Sequence, residues 1–175
     1  MRLHESVEHY LVTLLCDYTQ AGERPVPHDE PLAFLYKRAV EAPEVLEQIQ
    51  YMRDLGDVAL YSAGFFGETI EKSPVDRSYY VSMGGSAYQT VAGLLGSQHK
   101  RGPFVAMYQS LGSGFEKLVE LLNHLEEGQL ARSRSHNDLL RLYARWLKTG
   151  RPRLYQLLLE RGFVNAFQPP DESLQ

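Results

Sequence analysis

Residues 43–74 read PEVLEQIQYMRDLGDVALYSAGFFGETIEKSP, and this stretch decides the fold. Pro43 followed by Glu44 suits the first turn of a helix, Pro74 blocks continuation, and no proline lies between them. Val45, Ile49, Met52, Gly56, Ala59, Ala63, Phe66 and Ile70 recur at alternating spacings of four and three, which is one seam of a helix. The pattern predicts a helix over 44–73, roughly 45 Å long at about 1.5 Å per residue. A chain of this size is about 40 Å across, so such a helix crosses the whole molecule. No charge occurs from Val58 to Phe66, as expected of a segment enclosed on most sides.

Working outward, the stretch 78–97 (SYYVSMGGSAYQTVAGLLGS) also has a helical period, despite four glycines. Gly84, Gly85 and Ala87 form a patch without bulk, matching Gly56, Ala59, Ala63 and Gly64 on the central helix. Two such patches allow closer backbone approach than the usual 8–10 Å. On the N-terminal side, Leu3, Val7, Leu11, Leu14 and Tyr18 mark an amphipathic helix to Gln20. A proline-rich loop and a short helix over 29–41 follow, with Asp29 as its cap and Leu32, Leu35, Tyr36 and Ala39 facing inward. On the C-terminal side, Pro103 opens a helix whose seam runs Phe104, Tyr108, Leu111, Phe115, Leu118, Leu122 and Leu125, with a kink at Gly112 and Gly114. A polar linker over 128–134 is expected next. Ser135 and Asp138 then resemble a capping box for a helix to Lys148 that buries Leu139, Leu142, Tyr143, Trp146 and Leu147. Pro152 opens a last helix, and 166–175 form a loose tail. The prediction is an all-α, single-domain bundle of about seven helices around the long central one, with residues 1–128 as an acidic core and 132–162 as a basic hairpin packed on it.

Composition agrees with a soluble globular chain: 43% of residues are apolar and 23% charged. No run approaches the roughly 18 apolar residues of a membrane span, and the N-terminus, with Glu5 and Glu8, lacks a signal-peptide core. The single Cys16 excludes an internal disulfide, suits a reducing cytoplasm, and reads as a buried, inert thiol. Charge is polarised. Residues 132–161 hold eight basic side chains against two acids, while the rest of the chain holds ten basic and twenty acidic.

No catalytic, metal or cofactor site is predicted. Glu5/His9 and Glu120/His124 are four apart, which suits surface neighbours better than the Glu-x-x-His pairs of a di-iron bundle. Ser62 and Ser86 match no nucleophile elbow, and Gly84-Gly85-Ser86 lacks the lysine of a phosphate loop.

Two candidate surfaces remain. Eleven tyrosines are many for this length, and several fall on the helices expected to pack together. Buried phenols need partners, and Asp54, Asp57 and Tyr61 share one face of the central helix. With Tyr88 opposite, Asp54, Asp57 and Tyr61 form a candidate wall for a small polar ligand. The second surface is a cationic stripe of Arg141, Arg145 and Lys148, continued by Arg151 and Arg153, which 3.6-residue spacing places opposite the apolar side of its helix. The leading expectation is a non-enzymatic cytoplasmic protein that binds an acidic protein partner through this stripe. A ligand-binding bundle using the Tyr/Asp wall is the alternative. Nucleic-acid binding by the basic hairpin is disfavoured by its apolar second helix and the acidic remainder. The apolar seam over Phe104–Leu125 suggests a homodimer.

Overall fold

The computed structural model describes residues 4–20, 30–65, 76–98 and 102–162. All eight elements among them are α-helices: α1 (Glu5–Gln20), α2 (Leu32–Glu41), α3 (Val45–Phe65), α4 (Arg77–Ser97), α5 (Pro103–Ser113), α6 (Phe115–Arg132), α7 (His136–Thr149) and α8 (Pro152–Glu160). The all-helical bundle read from periodicity is therefore the fold. None of the described helices is long and apolar enough to cross a membrane. The chain separates into two compact units, Met1–Asn123 and His124–Gln175.

In the first unit α3 is the central element. Its seam holds: Met52, Gly56, Ala59 and Ala63 are buried, while Val45 at its start is exposed. Phe66, Ile70 and the rest of the predicted span to residue 73 lie outside the described residues, as does the predicted cap Asp29. The most extensive crossing is α3 with α4, and the small residues account for it. A β-carbon on Gly84 would enter the Phe115 ring and approach Ala59 Cβ to 2.8 Å. One on Gly64 would meet Leu122 Cβ at 2.5 Å, and one on Gly56 would meet the Tyr88 ring at 2.6 Å. Leu55, Leu60, Tyr88, Leu111, Phe115, Leu118 and Leu122 fill the core around these crossings. Asp76 caps α4, its carboxylate accepting from Tyr79 N at 3.1 Å and from the Ser78 hydroxyl at 2.6 Å. The kink expected near Gly112 and Gly114 is a full break, and it divides one predicted helix into α5 and α6.

Several side chains depart from the periodic reading. Tyr36 and Leu147 are exposed rather than inward, and Cys16 is exposed rather than buried. Tyr36 and Leu147 lie one position off the strip their helices bury, and Cys16 lies two positions from the buried Leu14, so hydropathy alone misplaces all three. The seam of α5 and α6 is covered by the first unit's own core from Tyr108 to Leu122, with only Phe104 and Leu125 at its ends exposed. Little surplus apolar surface is left there to motivate a homodimer.

In the second unit, Leu130, Ala131, Leu142, Leu154 and Leu158 form the core. Leu130 and Ala131 explain why the predicted linker over 128–134 is instead helical to Arg132: their burial outweighs the helix cost of Gly128. Ser135 does not cap α7 with its side chain; the Ser133 hydroxyl bonds Asp138 instead. Gly150, in the left-handed conformation at φ 62°, closes α7 with its N–H on Trp146 O at 2.8 Å. The Trp146 and Tyr155 rings then stack, with centroids 5.4 Å apart. The compact units divide at 123/124, inside α6. Glu126 and Glu127, which the sequence places with the acidic bundle, thus belong with the basic residues.

Candidate functional site: a tyrosine-clamped aspartate in a cavity

Two stripes of identical spacing face one another in the first unit. On α1 they are Tyr10, Thr13, Leu14, Asp17 and Tyr18; on α3 they are Gln50, Arg53, Asp54, Asp57 and Val58. Each is the i, i+3, i+4, i+7, i+8 face of a helix. Between them lies a cavity of about 540 Å³, within the range of small-molecule sites. Its long polar and aromatic side chains contrast with the small residues that close the α3–α4 crossing.

Asp57 is the best-defined group in this wall. Tyr10 of α1 and Tyr88 of α4 both donate to its Oδ1, each at 2.6 Å. The Tyr108 ring of α5 completes an aromatic triangle, 5.7 Å from Tyr10 and 5.9 Å from Tyr88 between centroids. Four helices thus converge on one carboxylate. Among the described residues both hydrogen bonds to this carboxylate fall on Oδ1, and Asp57 lines the cavity.

Burial pushes the Asp57 carboxyl up to about 6 and wins over the two phenols and Arg53, which favour its charge. Burial, followed by the negative charge of Asp57, also pushes the phenols of Tyr10 and Tyr88 up, so both stay protonated donors. Burial raises Tyr108 in the same sense. Arg53 bonds Asp54 Oδ1 at 3.1 Å; burial works against its charge, but this bond and the nearby carboxylates outweigh it. A carboxyl that titrates near neutrality at a cavity wall can hold a donor or exchange a proton there.

Of the residues expected in a ligand wall, Asp54 and Asp57 line the cavity. Tyr61 and Tyr88 stand behind it. Tyr61 stacks on Tyr18, with centroids 4.2 Å apart and planes at 9°, and Tyr88 clamps Asp57. Tyr10, Asp17, Tyr18 and Arg53 were not singled out by the sequence reading. The signal that could find them is the shared 3/4 spacing of the two stripes, which is visible only once α1 and α3 are known to face each other.

The cationic stripe has a different character. Arg145, expected at the surface, is buried and donates to Glu126 Oε2 at 2.8 Å. Arg141 reaches Glu126 Oε1 at 3.4 Å and Asp138 at 3.8 Å. Arg151 donates to Glu127 Oε1 at 3.0 Å. Both glutamates are buried. The physical reason is the extension of α6, which carries two acids into the unit that appeared wholly basic. Lys148 is exposed but has an interaction of its own, and Arg153 is exposed.

Among the described residues no group of three or more His, Cys, Asp or Glu side chains is placed to hold a metal. Ser62 is fully buried with its hydroxyl unpartnered, and Ser86 is exposed. No protein-family model matches the chain, and no curated protein or solved structure proves similar to it.

Proposed function

We propose that this protein binds a small polar organic molecule in the cavity between α1 and α3. One observation carries the reading: a carboxylate in the cavity wall is fixed by phenols from two different helices while its second oxygen stays unused. Oδ2 is not among the buried side-chain atoms left without a partner, so it is open to a donor entering from the cavity. The reading of the arginine stripe as a surface for an acidic partner, or for nucleic acid, loses its motivation, since Arg141, Arg145 and Arg151 already have acids of their own unit. The proposal keeps the protein in the reducing cytoplasm, where the exposed Cys16 stays a thiol.

The test is a fragment titration followed by NMR on the full chain, repeated with Thr13→Trp. Thr13 is exposed at the cavity wall, so an indole there fills the space without entering the core. Polar fragments should shift the Tyr10, Asp54 and Asp57 resonances, and Thr13→Trp should abolish those shifts. Fragments that bind only elsewhere, or that ignore Thr13→Trp, would overturn the proposal.

A further inference from the structure

We infer that the cavity selects an organic cation, with its ammonium group seated on Asp57 Oδ2. This rests on the ligand-binding reading of the cavity and specifies what that ligand carries.

Four helices bring titratable groups to Asp57 and the wall around it. From α1 come Tyr10 and, along the same wall, Asp17; from α3 come Arg53 and Asp54; from α4 comes Tyr88 and from α5 Tyr108. The phenols remain neutral, so the cavity wall carries three carboxylates and one guanidinium. That guanidinium is already committed to Asp54 at 3.1 Å, and its Nε is buried out of reach of a ligand. An anionic ligand would meet three carboxylates against a single guanidinium already paired with one of them, whereas a cation meets a surplus of negative charge.

The geometry at Asp57 is equally selective. Both phenols use Oδ1, at 2.6 Å each, so the carboxylate is locked in rotation before any ligand arrives. Oδ2 offers acceptor lone pairs and no proton above the titration range of the group, so it calls for a donor. A neutral hydroxyl could supply one donor. An ammonium supplies both the donor and the charge that Asp57 lacks in its desolvated setting, and charge-assisted bonds are about twice as strong as neutral ones. Aromatic rings in the same wall, Tyr10 and Tyr18, favour a cation over a neutral group of the same size. The cavity volume is of the size that takes a small amine.

The experiment compares three molecules of one shape: hexylammonium, hexanol and hexanoate. Each is titrated into the full-length protein at pH 7.5, with the Tyr10 and Asp57 resonances giving the dissociation constant. The ammonium should bind at least tenfold more tightly than either analogue. Asp57→Asn keeps an oxygen for the two phenols and should lose at least tenfold in ammonium affinity. Should that variant not fold, the wild-type protein supplies an independent reading: with Asp57 titrating at about 6, affinity should fall about tenfold between pH 7.5 and 5. Hexanol or hexanoate binding as tightly as the ammonium would overturn the inference while leaving the cavity as a ligand site. So would an affinity indifferent to both pH and Asp57→Asn. An ammonium whose shifts survive Thr13→Trp binds elsewhere, and the cavity reading then falls with the inference. No shift from any of the three molecules overturns the inference alone, because the broader fragment titration judges the cavity separately.

Discussion

Tyr88 meets α3 twice within one turn: its ring lies over Gly56, and its hydroxyl donates to Asp57 Oδ1 at 2.6 Å. The residue that closes the helix crossing is therefore also the one that orients the carboxylate. A β-carbon at position 56 would stand 2.6 Å from the Tyr88 ring, which must then shift. Gly56→Ala should cost about 1–3 kcal/mol as overpacking, despite the better helix propensity of alanine. It should also lengthen the Tyr88–Asp57 bond and raise the Asp57 pKa further, readable as a carboxyl carbon titration. A variant as stable as the parent with an unchanged titration would separate the crossing from the site.

Asp57 should make stability depend on pH in an unusual direction. Its folded pKa of about 6 lies above the ordinary 3.8, so between those values the folded state binds the proton more tightly than the unfolded state. Stability contributed by this group therefore rises as pH falls from above 6 towards 4, by up to about 3 kcal/mol. Asp57→Asn removes the buried charge and should stabilise the protein at pH 7.5 by about 1–3 kcal/mol, an advantage that shrinks on acidification. Denaturant melts of both proteins at several pH values check this. An Asp57→Asn protein less stable at pH 7.5 would mean the carboxylate is a net structural support.

Gly84 and Gly93 sit in the same helix and should respond oppositely to alanine. At Gly84 the new methyl would enter the Phe115 ring and crowd Ala59, so Gly84→Ala should cost about 1–3 kcal/mol, and Gly84→Leu more. At Gly93 nothing lies within 4 Å, so Gly93→Ala should gain about 1 kcal/mol from helix propensity alone. Chemical denaturation of the pair tests the packing explanation of the glycines without reference to function.

The pair Arg145–Glu126 should behave as a buried ion pair. Arg145→Ala leaves Glu126 buried with weaker compensation and should destabilise its unit by about 3–5 kcal/mol. Arg153→Glu, at an exposed position, should change stability by no more than about 0.5 kcal/mol. Hydrogen exchange on α7 and α8 distinguishes the two, with protection lost only in the first.

The helices were legible because their apolar seams repeat over many turns. The Gly84–Ala59 approach was legible too, as a patch without bulk facing another. The sites were only half legible. Asp54 and Asp57 stood out by sharing a face with Tyr61, but Tyr10 did not, because a tyrosine between Val7, Leu11 and Leu14 reads as ordinary core. What makes Tyr10 part of the site is its reach to a residue 47 positions away, and periodicity carries no such information. The arginines failed for a related reason. Arg145 is three residues from Leu142 and so shares its buried face, yet spacing cannot show that α6 extends far enough to bring Glu126 and Glu127 against it. Helix ends near Gly128 depend on what Leu130 and Ala131 find to bury, which is a tertiary fact.

The central claim is that Asp57 is a desolvated acceptor held ready at a cavity wall, and the direct measurement is its own titration. The side-chain carboxyl carbon of Asp57 is followed by NMR from pH 3 to 9 in the full chain, with Tyr88→Phe alongside. The midpoint should be about 6 in the parent and higher in Tyr88→Phe, which loses a bond favouring the charged form. A parent midpoint near the ordinary 3.8, unmoved by Tyr88→Phe, would contradict the claim.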